Sequence, residues 1–231
     1  MAQDLVCLRL QLTGLPPAFR TQHSASMTAL SIRSYHPSDL IALYRICHAT
    51  GWNGNDASSL VPDPDLIGHS YVGPYVTFEP NLCFVAQQGS QVVGYILATA
   101  DSSSFHHICE GQWFPLLRSR YPMPPSGDES LTARFVRTLH RGHPPSATID
   151  LARFPASLHI DLLPQAQRQG AGRKLMMHLF ATLRDMGVPG VHLYVSRAND
   201  GAINFYERVG FKCLDESPTV KGYGFTLQNS S

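Results

Sequence analysis

The chain has 231 residues, of which 43% are hydrophobic and 15% are charged, and its formal net charge is +1 at pH 7. This length and composition suit one globular domain, or one that carries decorations. The near-neutral charge does not favour nucleic acid or an anionic membrane as a partner, and no apolar run approaches the roughly 20 residues of a membrane span. The five cysteines lack a Cys-x-x-Cys pair, so we expect reduced thiols in a cytoplasmic protein.

The N-terminal part of the chain divides into an unpatterned extension and the start of a domain. Residues 1–26 show no hydrophobic period, and we expect an extension there that is disordered or loosely packed, ahead of one domain over 27–231. The domain begins with a strand over 29–35 and a helix opened by Pro37, and two β-prone runs, 82–87 and 91–99, predict a hairpin. The expected buried row of the helix is Leu40, Leu43, Tyr44 and Cys47.

A long segment, about 101–155, separates this hairpin from the next strand. Helices are predicted over about 105–121 and 129–140, on either side of a proline-rich joint at 122–125. A segment of this length with its own helices is usually functional. It also contains possible metal ligands whose spacing matches no zinc-site pattern, so solvated side chains and no metal are expected. These are His106, His107, Cys109, His140 and His143.

A strand, a turn with two glycines and an amphipathic helix follow. The turn is Gln167-Arg-Gln-Gly170-Ala-Gly172, and Gly187 ends the helix. Since the first helical turn leaves N–H groups unpaired at the positive end of the dipole, the turn predicts a seat for a phosphate or pyrophosphate. The P-loop and dinucleotide fingerprints do not fit, because the Ser/Thr and the third glycine are missing. The apolar row of the helix is Leu175, Leu179, Leu183 and Met186, with Met176 and Phe180 beside it.

A second motif lies downstream of this helix, beyond an alternating strand in which Val191, Leu193 and Val195 face inward. Its residues are Asn199, Ala202, Phe205, Tyr206, Gly210 and Phe211. The Gln-x-x-Gly-x-Gly turn alone is equally explained by a strand-to-helix connection that needs glycine. The two motifs together, in this order and separated by a strand, resemble those of the GNAT N-acetyltransferase superfamily.

The resemblance implies an α/β (α+β) GNAT fold, a mixed central sheet of about six to seven strands flanked by helices. The segment 101–155 is then a helical insert between strands three and four, beside the acceptor site. This insert and the stretches 65–75 and 153–161 are similar to the acetyltransferase-like C-terminal domain of O-GlcNAcase and its stand-alone microbial relatives. In the animal O-GlcNAcase domain the coenzyme turn is degenerate, whereas Gln167, Gly170 and Gly172 are intact here.

The same resemblance implies acetyl-coenzyme A (acetyl-CoA) as cofactor. The turn then holds its pyrophosphate, the residues before Pro164 and Asn199 hold its pantetheine arm, and the backbone near Leu162 and Leu163 polarises the acetyl carbonyl. For Asn199, a helix N-cap is an equal alternative. The predicted cofactor-binding residues are Leu162, Leu163, Gln167, Arg168, Gln169, Gly170, Ala171, Gly172, Arg173, Lys174, Asn199, Ala202 and Phe205.

Two residues are candidates for catalysis. The resemblance implies that Tyr206 is the general acid for the sulfur, and its alternative is a core aromatic. The base of related enzymes falls near Ala156 and Leu158, which cannot accept a proton. We expect Asp161 to act instead, because a carboxylate in an apolar strand is costly unless used or paired. A structural carboxylate, a water-relayed base or an amine that arrives neutral are the alternatives.

The acceptor side is predicted from aromatic and acidic residues in segments that border the cleft, any of which also suits packing. These are Trp52, Tyr71, Tyr75, Asp101 and Trp113. The function that follows is N-acetyl transfer from acetyl-CoA to an amine, either a small molecule or a protein lysine, by a monomer or homodimer. The alternative is a catalytically inactive acetyl-CoA-binding or protein-interaction module, which the missing conventional base favours.

Overall fold

The computed structural model describes residues 29–227, so the extension expected over 1–26 lies outside it. Seven strands are present in this range: β1 Leu30–Ser34, β2 Cys83–Gln88, β3 Gln91–Thr99, β4 Ala156–Leu162, β5 Gly190–Ser196, β6 Lys212–Glu216 and β7 Val220–Thr226. The helices are α1 Leu40–Thr50, α2 Leu66–Tyr71, α3 Gly73–Phe78, α4 Ser102–Gln112, α5 Phe114–Arg120, α6 Leu131–Arg141, α7 Ala171–Asp185 and α8 Asp200–Val209.

The strands form one mixed sheet in the order β1-β2-β3-β4-β5-β7-β6. The β4–β5 pair is parallel and its neighbours are antiparallel. β4 pairs with β5 only at Ala156–Val191 and Ser157–His192, whereas its pairing with β3 continues to Leu162. The remaining length of β4 therefore has no partner strand on the β5 side, and a gap opens in the middle of the sheet.

Helices cover both faces of the sheet and enclose two hydrophobic cores. One core contains Leu175, Leu179 and Phe180 of α7 together with Tyr206 of α8. The other core lies on the opposite face, contains residues from each of the helices α1 through α6, and includes Tyr95. The fold is the mixed, helix-flanked sheet that the sequence predicts, with α4, α5 and α6 lying between β3 and β4. Within residues 29–227, no helix combines the length and apolar character that crossing a membrane requires.

Several elements differ from the sequence-based expectation. The single helix predicted over 105–121 is two helices that meet at Trp113, because Pro115 in the first turn of α5 has no N–H to continue the ladder. The buried face of α1 is turned toward Ile46 and Thr50, so Leu40 is exposed and Tyr44 only partly buried. Met186 is 55% exposed at the end of α7. The helices α2 and α3 were not predicted from the sequence.

The strand β5 departs from simple alternation at His192. Its ring is buried, and the Nδ1 atom lies 2.7 Å from the Phe154 carbonyl oxygen. The segment that leads into β4 covers this face of β5, so a residue expected to point to solvent is enclosed. Tyr194, the next residue on the same face, remains exposed.

Candidate functional site

The turn between β4 and α7 has an unusual backbone. Arg168 and Gly170 both have positive φ, at 59° and 79°. Alternation of left- and right-handed conformations directs successive N–H groups into one concave surface, which is a common way to bind an anion. Gly170 is also the N-cap of the 15-residue helix α7, so the positive end of the helix dipole lies at the same place.

Most backbone N–H groups of this turn are unpaired within the described residues. The Gln167 N–H donates to Pro164 O, and the Lys174 N–H donates to Gly170 O. Between them, the N–H groups of residues 168–173 have no acceptor in the part of the chain that the structure describes. Six consecutive unpaired N–H donors on an exposed turn are suited to bind a large anion that carries several oxygens.

The two glycines of the turn serve different needs. A Cβ at Gly170 would meet nothing within 4 Å, so its side is open to a ligand. A Cβ at Gly172 would lie 3.0 Å from Phe205 and 3.1 Å from Leu162, in tight contact with both. Gly172 therefore allows α7 to pack closely on α8 and β4, while Gly170 provides the left-handed conformation and free space.

A cleft of about 980 Å³ extends from this turn. It brings together most of the predicted cofactor residues and both predicted catalytic residues. Those that line it are Asp161, Leu162, Gln167, Arg168, Gly170, Gly172, Arg173, Asn199, Ala202, Phe205 and Tyr206. Leu163, Gln169, Ala171 and Lys174 do not line it, and Ala171 is buried in the core instead.

The backbone of β4 contributes to the cleft where the sheet is open. The Leu163 N–H donates to Val93 O at 2.9 Å, so its predicted role in polarising a carbonyl is wrong. In an antiparallel ladder successive residues point to opposite sides, so the N–H groups of Leu162 and Ile160 face away from β3, into the gap toward β5. The Leu162 carbonyl oxygen accepts from Gln167 Nε2 at 3.0 Å, which ties the turn to the strand.

Asn199 performs the capping role that the sequence left open. Its Oδ1 accepts from the Ala202 N–H at 3.1 Å at the start of α8, and the residue also lines the cleft. Its side chain lies 3.7 Å from where a Cβ at Gly54 would be. Asn53 and Gly54, both with positive φ, form a tight turn after α1 that reaches across the cleft to α8. This turn was not among the predicted site residues, although the Asn-Gly pair is a recognisable signal.

Tyr206 is 7% exposed and packs against Phe205, Phe211 and Tyr223, so it is a core aromatic as well as a cleft residue. Burial, reinforced by the charge of Asp161, raises the pKa of its hydroxyl. The hydroxyl makes no hydrogen bond to any residue between 29 and 227. A protonated hydroxyl that opens to a cleft without a partner is able to donate to a ligand there.

Asp161 lies in a network of hydrogen-bonding groups from several elements. Its Oδ2 accepts from the Tyr95 hydroxyl at 2.6 Å and lies 3.1 Å from Nε2 of His159. Its Oδ1 has no hydrogen-bond partner within the described chain, and the side chain is 17% exposed at the cleft. The carboxylate is therefore both structurally bonded and accessible, which is compatible with either of the two roles that the sequence left open.

Cys47 of α1 completes this cluster from the opposite helix. Among residues 29–227, Cys47, His159 and Asp161 form the group of possible metal ligands whose atoms lie within 4.8 Å of one another. Burial raises the pKa of the Cys47 thiol, so it is protonated and neutral. Cys47, Tyr95 and His159 were not predicted as site residues, because they reach Asp161 only through strand pairing and helix packing.

The predicted acceptor residues are not brought together. Tyr71 stacks on His159 at 5.1 Å, beside the Asp161 cluster. Trp52 is 48% exposed next to the Asn53-Gly54 turn. Tyr75 is buried against Phe105, Asp101 caps α4, and Trp113 donates to His69 O and lines a separate cavity of about 460 Å³. These last three residues have other contacts and do not line the cleft, and their acceptor role stays a prediction.

The possible metal ligands of the 101–155 segment lie apart. Nδ1 of His107, Nε2 of His140 and Nε2 of His143 each lie within hydrogen-bonding distance of a carbonyl oxygen, those of Ser103, Tyr121 and Ser70 respectively. Cys109 is buried in the core of that face. The three histidine rings are thus placed to hydrogen-bond with backbone carbonyl groups.

Comparison with known proteins agrees with this geometry. The model of the acetyltransferase (GNAT) family matches residues 145–211, which include the turn, Tyr206 and the open part of β4. The crystal structure of SsHAT is 36% identical, has a TM-score of 0.80, and the alignment covers 87% of this chain and 100% of that one. The chain belongs to the GNAT acetyltransferase family.

Two further proteins similar to this GNAT chain are less identical to it in sequence. The O-GlcNAcase of Rattus norvegicus is 26% identical over 182 residues, which are 78% of this chain and 20% of that protein. The chain therefore spans about a fifth of the length of this curated relative. The PaiA N-acetyltransferase of Thermoplasma acidophilum, solved in complex with coenzyme A, is 16% identical with a TM-score of 0.53, over 86% of this chain and 99% of that one. That likeness concerns the fold.

Proposed function

We propose that this GNAT protein is an N-acetyltransferase that uses acetyl-CoA and acetylates an amine, either a small molecule or a protein lysine. The observation that carries the proposal is the row of unpaired N–H groups at residues 168–173, at the mouth of the cleft that Asp161 and Tyr206 line. Such a row suits the pyrophosphate of a coenzyme A ester. Arg168 and Arg173 line the same cleft and add positive charge.

The residues of the cleft fit the rest of the coenzyme as well. The N–H groups of Ile160 and Leu162 face the gap in the sheet, where an extended amide-containing arm finds donors that no strand satisfies. Phe205 and Ala202 provide apolar surface on α8. Acetyl-CoA supplies an activated acyl group and a thiolate leaving group, which an amine displaces once it has lost its proton.

The proton transfers are assigned to the two cleft residues. Asp161 presents Oδ1 to the cleft and accepts the proton of the acceptor ammonium group. Tyr206 keeps its proton because burial raises the pKa of its hydroxyl, and it donates that proton to the sulfur. The Leu162 N–H stabilises the charge that develops on the carbonyl oxygen.

The acceptor site is proposed to be small and polar. Thr50, Asn53, Asn55 and Asn204 line the same cleft as Asp161, and the Asn53-Gly54 turn narrows it against Asn199. The carboxylate of Asp161 favours a cationic amine. We further propose that residues 101–155 act as an insert that supports this side of the sheet, since α2 and α6 pack together behind the Asp161 cluster.

The decisive experiment is calorimetric titration with acetyl-CoA, using the unmodified chain, Gly170→Asp and Gly170→Ala. Aspartate at the N-cap is compatible with the helix but places a carboxylate in the anion seat, so we expect at least about a 100-fold loss of affinity. The alanine variant adds only the cost of a left-handed conformation, about 1 kcal/mol, and keeps most of the affinity.

Release of free coenzyme A with a panel of amines then measures turnover. Binding that is lost in Gly170→Asp, together with amine-dependent release, supports the proposal. Equal binding by both variants would place the coenzyme elsewhere, and binding without release on any amine would identify a catalytically inactive acetyl-CoA-binding module.

A further inference from the structure

Three side chains with different donor atoms meet where α1 covers β4. Cys47 of α1 contributes a thiol, and His159 and Asp161 of β4 contribute an imidazole and a carboxylate. The two β4 residues are separated by one position and therefore project to the same side of the sheet. One ligand atom from each of the three residues lies within 4.8 Å of the other two. The cluster thus combines sulfur, nitrogen and oxygen donors at one point.

The imidazole of His159 has a nitrogen without a partner. Its Nε2 atom is buried and makes no hydrogen bond to any residue between 29 and 227. It lies 3.1 Å from Oδ2 of Asp161, yet the two atoms are not aligned for a hydrogen bond. A buried polar atom without a partner is costly and needs an explanation. Two ligands of one metal ion have this arrangement, because each is directed at the ion and not at the other ligand.

The spacing of the three groups fits a zinc ion. Zinc binds nitrogen and oxygen at about 2.0 to 2.2 Å, so these two ligand atoms are separated by about 3.3 Å in a tetrahedral site. The Nε2 to Oδ2 distance of 3.1 Å is close to this value. A thiolate bound at about 2.3 Å lies about 3.6 Å from the other ligands. Since the sulfur of Cys47 is within 4.8 Å of both, it has to approach them by about 1.2 Å at most.

The residues behind the cluster hold two of the three ligands in place. Tyr71 stacks on the His159 ring at 5.1 Å with an interplanar angle of 26°, which limits rotation of the imidazole. The hydroxyl of Tyr95 donates to Oδ2 of Asp161 at 2.6 Å. Metal ligands in proteins are commonly oriented by such neighbours, and a ligating carboxylate is commonly hydrogen-bonded in this way. The site is therefore largely organised before an ion arrives.

We propose that Cys47, His159 and Asp161 bind a zinc ion, with the fourth coordination position open to the cleft. A thiolate, an imidazole and a carboxylate favour zinc over magnesium and calcium, which prefer oxygen ligands. Three protein ligands and one open position are typical of zinc sites that also bind water or a small ligand. Asp161 lines the cleft, so the open position is reached from there. Binding forms the Zn–S bond and releases the thiol proton of Cys47 to the solvent.

This site differs from the sequence-based expectation of no metal. That expectation concerned side chains of the segment 101–155, whereas the three proposed ligands lie outside it and meet only in the folded sheet. The inference needs neither the coenzyme nor an acceptor. One consequence rests on the proposed acetyltransferase function: an ion on Asp161 engages the carboxylate that would accept a proton, so zinc is expected to inhibit acetyl transfer.

The test begins with the unmodified chain, without an affinity tag and after removal of metal by a chelator. Added Co²⁺ is expected to give a one-to-one complex with a thiolate-to-cobalt charge-transfer band and the intense visible bands of tetrahedral coordination. Zn²⁺ should abolish these bands, and competition with a chromophoric chelator should give a Kd of about 1 μM or below. Absence of binding, or a cobalt complex without the charge-transfer band, would overturn the proposal.

Single variants identify the ligands. Cys47→Ser and His159→Gln are each expected to weaken zinc binding by about 100-fold or more, and Cys47→Ser should also lose the charge-transfer band. Cys109→Ser is the matched control, because Cys109 is another buried thiol on a helix of the same core, and it should bind zinc like the unmodified chain. Zinc binding that is unchanged in Cys47→Ser or in His159→Gln would overturn the proposal.

Thermal unfolding without metal shows whether each variant is folded. If Cys47→Ser is not folded, His159→Gln decides, because this side chain is 27% exposed and its replacement disturbs little packing. All binding measurements are made without acetyl-CoA or an amine. Failure to bind zinc therefore refutes this inference alone, and failure to release coenzyme A with any amine refutes the acetyltransferase function alone.

Discussion

The two functional regions of the cleft are built from different chemical groups. At the turn before α7, the binding groups are backbone N–H donors of consecutive residues on an exposed loop. At Asp161, they are side chains from α1, β3 and β4 that meet in a largely buried cluster. The first region depends on the conformation of the chain, whereas the second depends on the identity of each side chain.

This difference determines which amino-acid substitutions each region tolerates. Substitutions at exposed positions of the turn, such as Arg168 or Arg173, leave the N–H donors in place if the backbone keeps its conformation. Substitutions in the Asp161 cluster remove a group that has no substitute. We therefore expect affinity for the coenzyme and rate of transfer to respond to separate sets of mutations, and the following predictions test that separation.

The largest effect is expected for Asp161→Asn. The variant keeps the shape of the side chain but loses the base, so kcat/KM should fall by about 10²- to 10⁴-fold while the Kd for acetyl-CoA stays the same. Steady-state kinetics and calorimetry measure the two quantities. Full activity across the pH range would exclude Asp161 as the base, and a parallel loss of affinity would contradict the separation of the two regions.

Tyr206→Phe is expected to have the next largest effect. It removes one hydroxyl and keeps the aromatic packing, so kcat should fall by about 10- to 100-fold with little change in affinity or in melting temperature. Thiol release and thermal unfolding are the measurements. Phe205→Leu is a matched control that alters an adjacent aromatic, and an unchanged kcat for Tyr206→Phe would remove the role of general acid.

A third prediction concerns stability in acid. Burial lowers the pKa of His143 to about 4 from an ordinary value of 6.5, so the folded chain keeps this ring neutral while the unfolded chain binds a proton. Stability is therefore complete above pH 6.5 and is lost as the pH falls toward 4, by about 3 kcal/mol. Denaturant unfolding at several pH values measures the loss. His143→Gln should show a flatter profile between these limits, and an equally steep one would refute the assignment.

The smallest effect is expected on the coenzyme side, for Arg168→Gly. Arg168 has a φ of 59°, a conformation that costs a non-glycine residue about 1 kcal/mol, so glycine should raise the melting temperature by a few degrees. The same change removes a positive charge and should weaken acetyl-CoA binding several-fold without altering kcat. A lower melting temperature would show that the turn is not strained, and a lower kcat would show that the two regions are coupled.

The turn that we propose to hold the coenzyme was predictable from the sequence because its signals are local. Gln167, Gly170 and Gly172 lie within six residues, and the helix that follows has a clear apolar row. The sequence also places Asp161 and His159 on one face of a strand. It contains no comparable signal for Tyr95 or Cys47, because 66 residues separate Tyr95 from Asp161 along the chain.

The sequence did not show that Tyr75 and Asp101 lie away from the cleft, for a related reason. Asp101 and Tyr75 lie in segments that border the sheet, but a short stretch of sequence does not reveal which face a side chain takes. Asp101 is used to cap α4, since its carboxylate accepts from the N–H groups of Ser103 and Ser104. The Leu163 N–H was misassigned because the register of β4 on β3, which decides the direction of every N–H, follows from the folded sheet.

The opening between β4 and β5 has a thermodynamic consequence for the whole molecule. Within the described residues, only two residue pairs, both between β4 and β5, connect one group of strands (β1, β2, β3 and β4) with the other (β5, β6 and β7). The sheet therefore resembles two smaller sheets that are joined over a short length. A ligand that hydrogen-bonds to the facing edges of β4 and β5 takes the place of the interstrand hydrogen bonds that are missing there. The free energy of ligand binding then adds to the free energy of unfolding, and the melting temperature should rise with ligand concentration. If this ligand is the proposed acyl donor, the abundance of the folded protein in a cell would follow the supply of that donor.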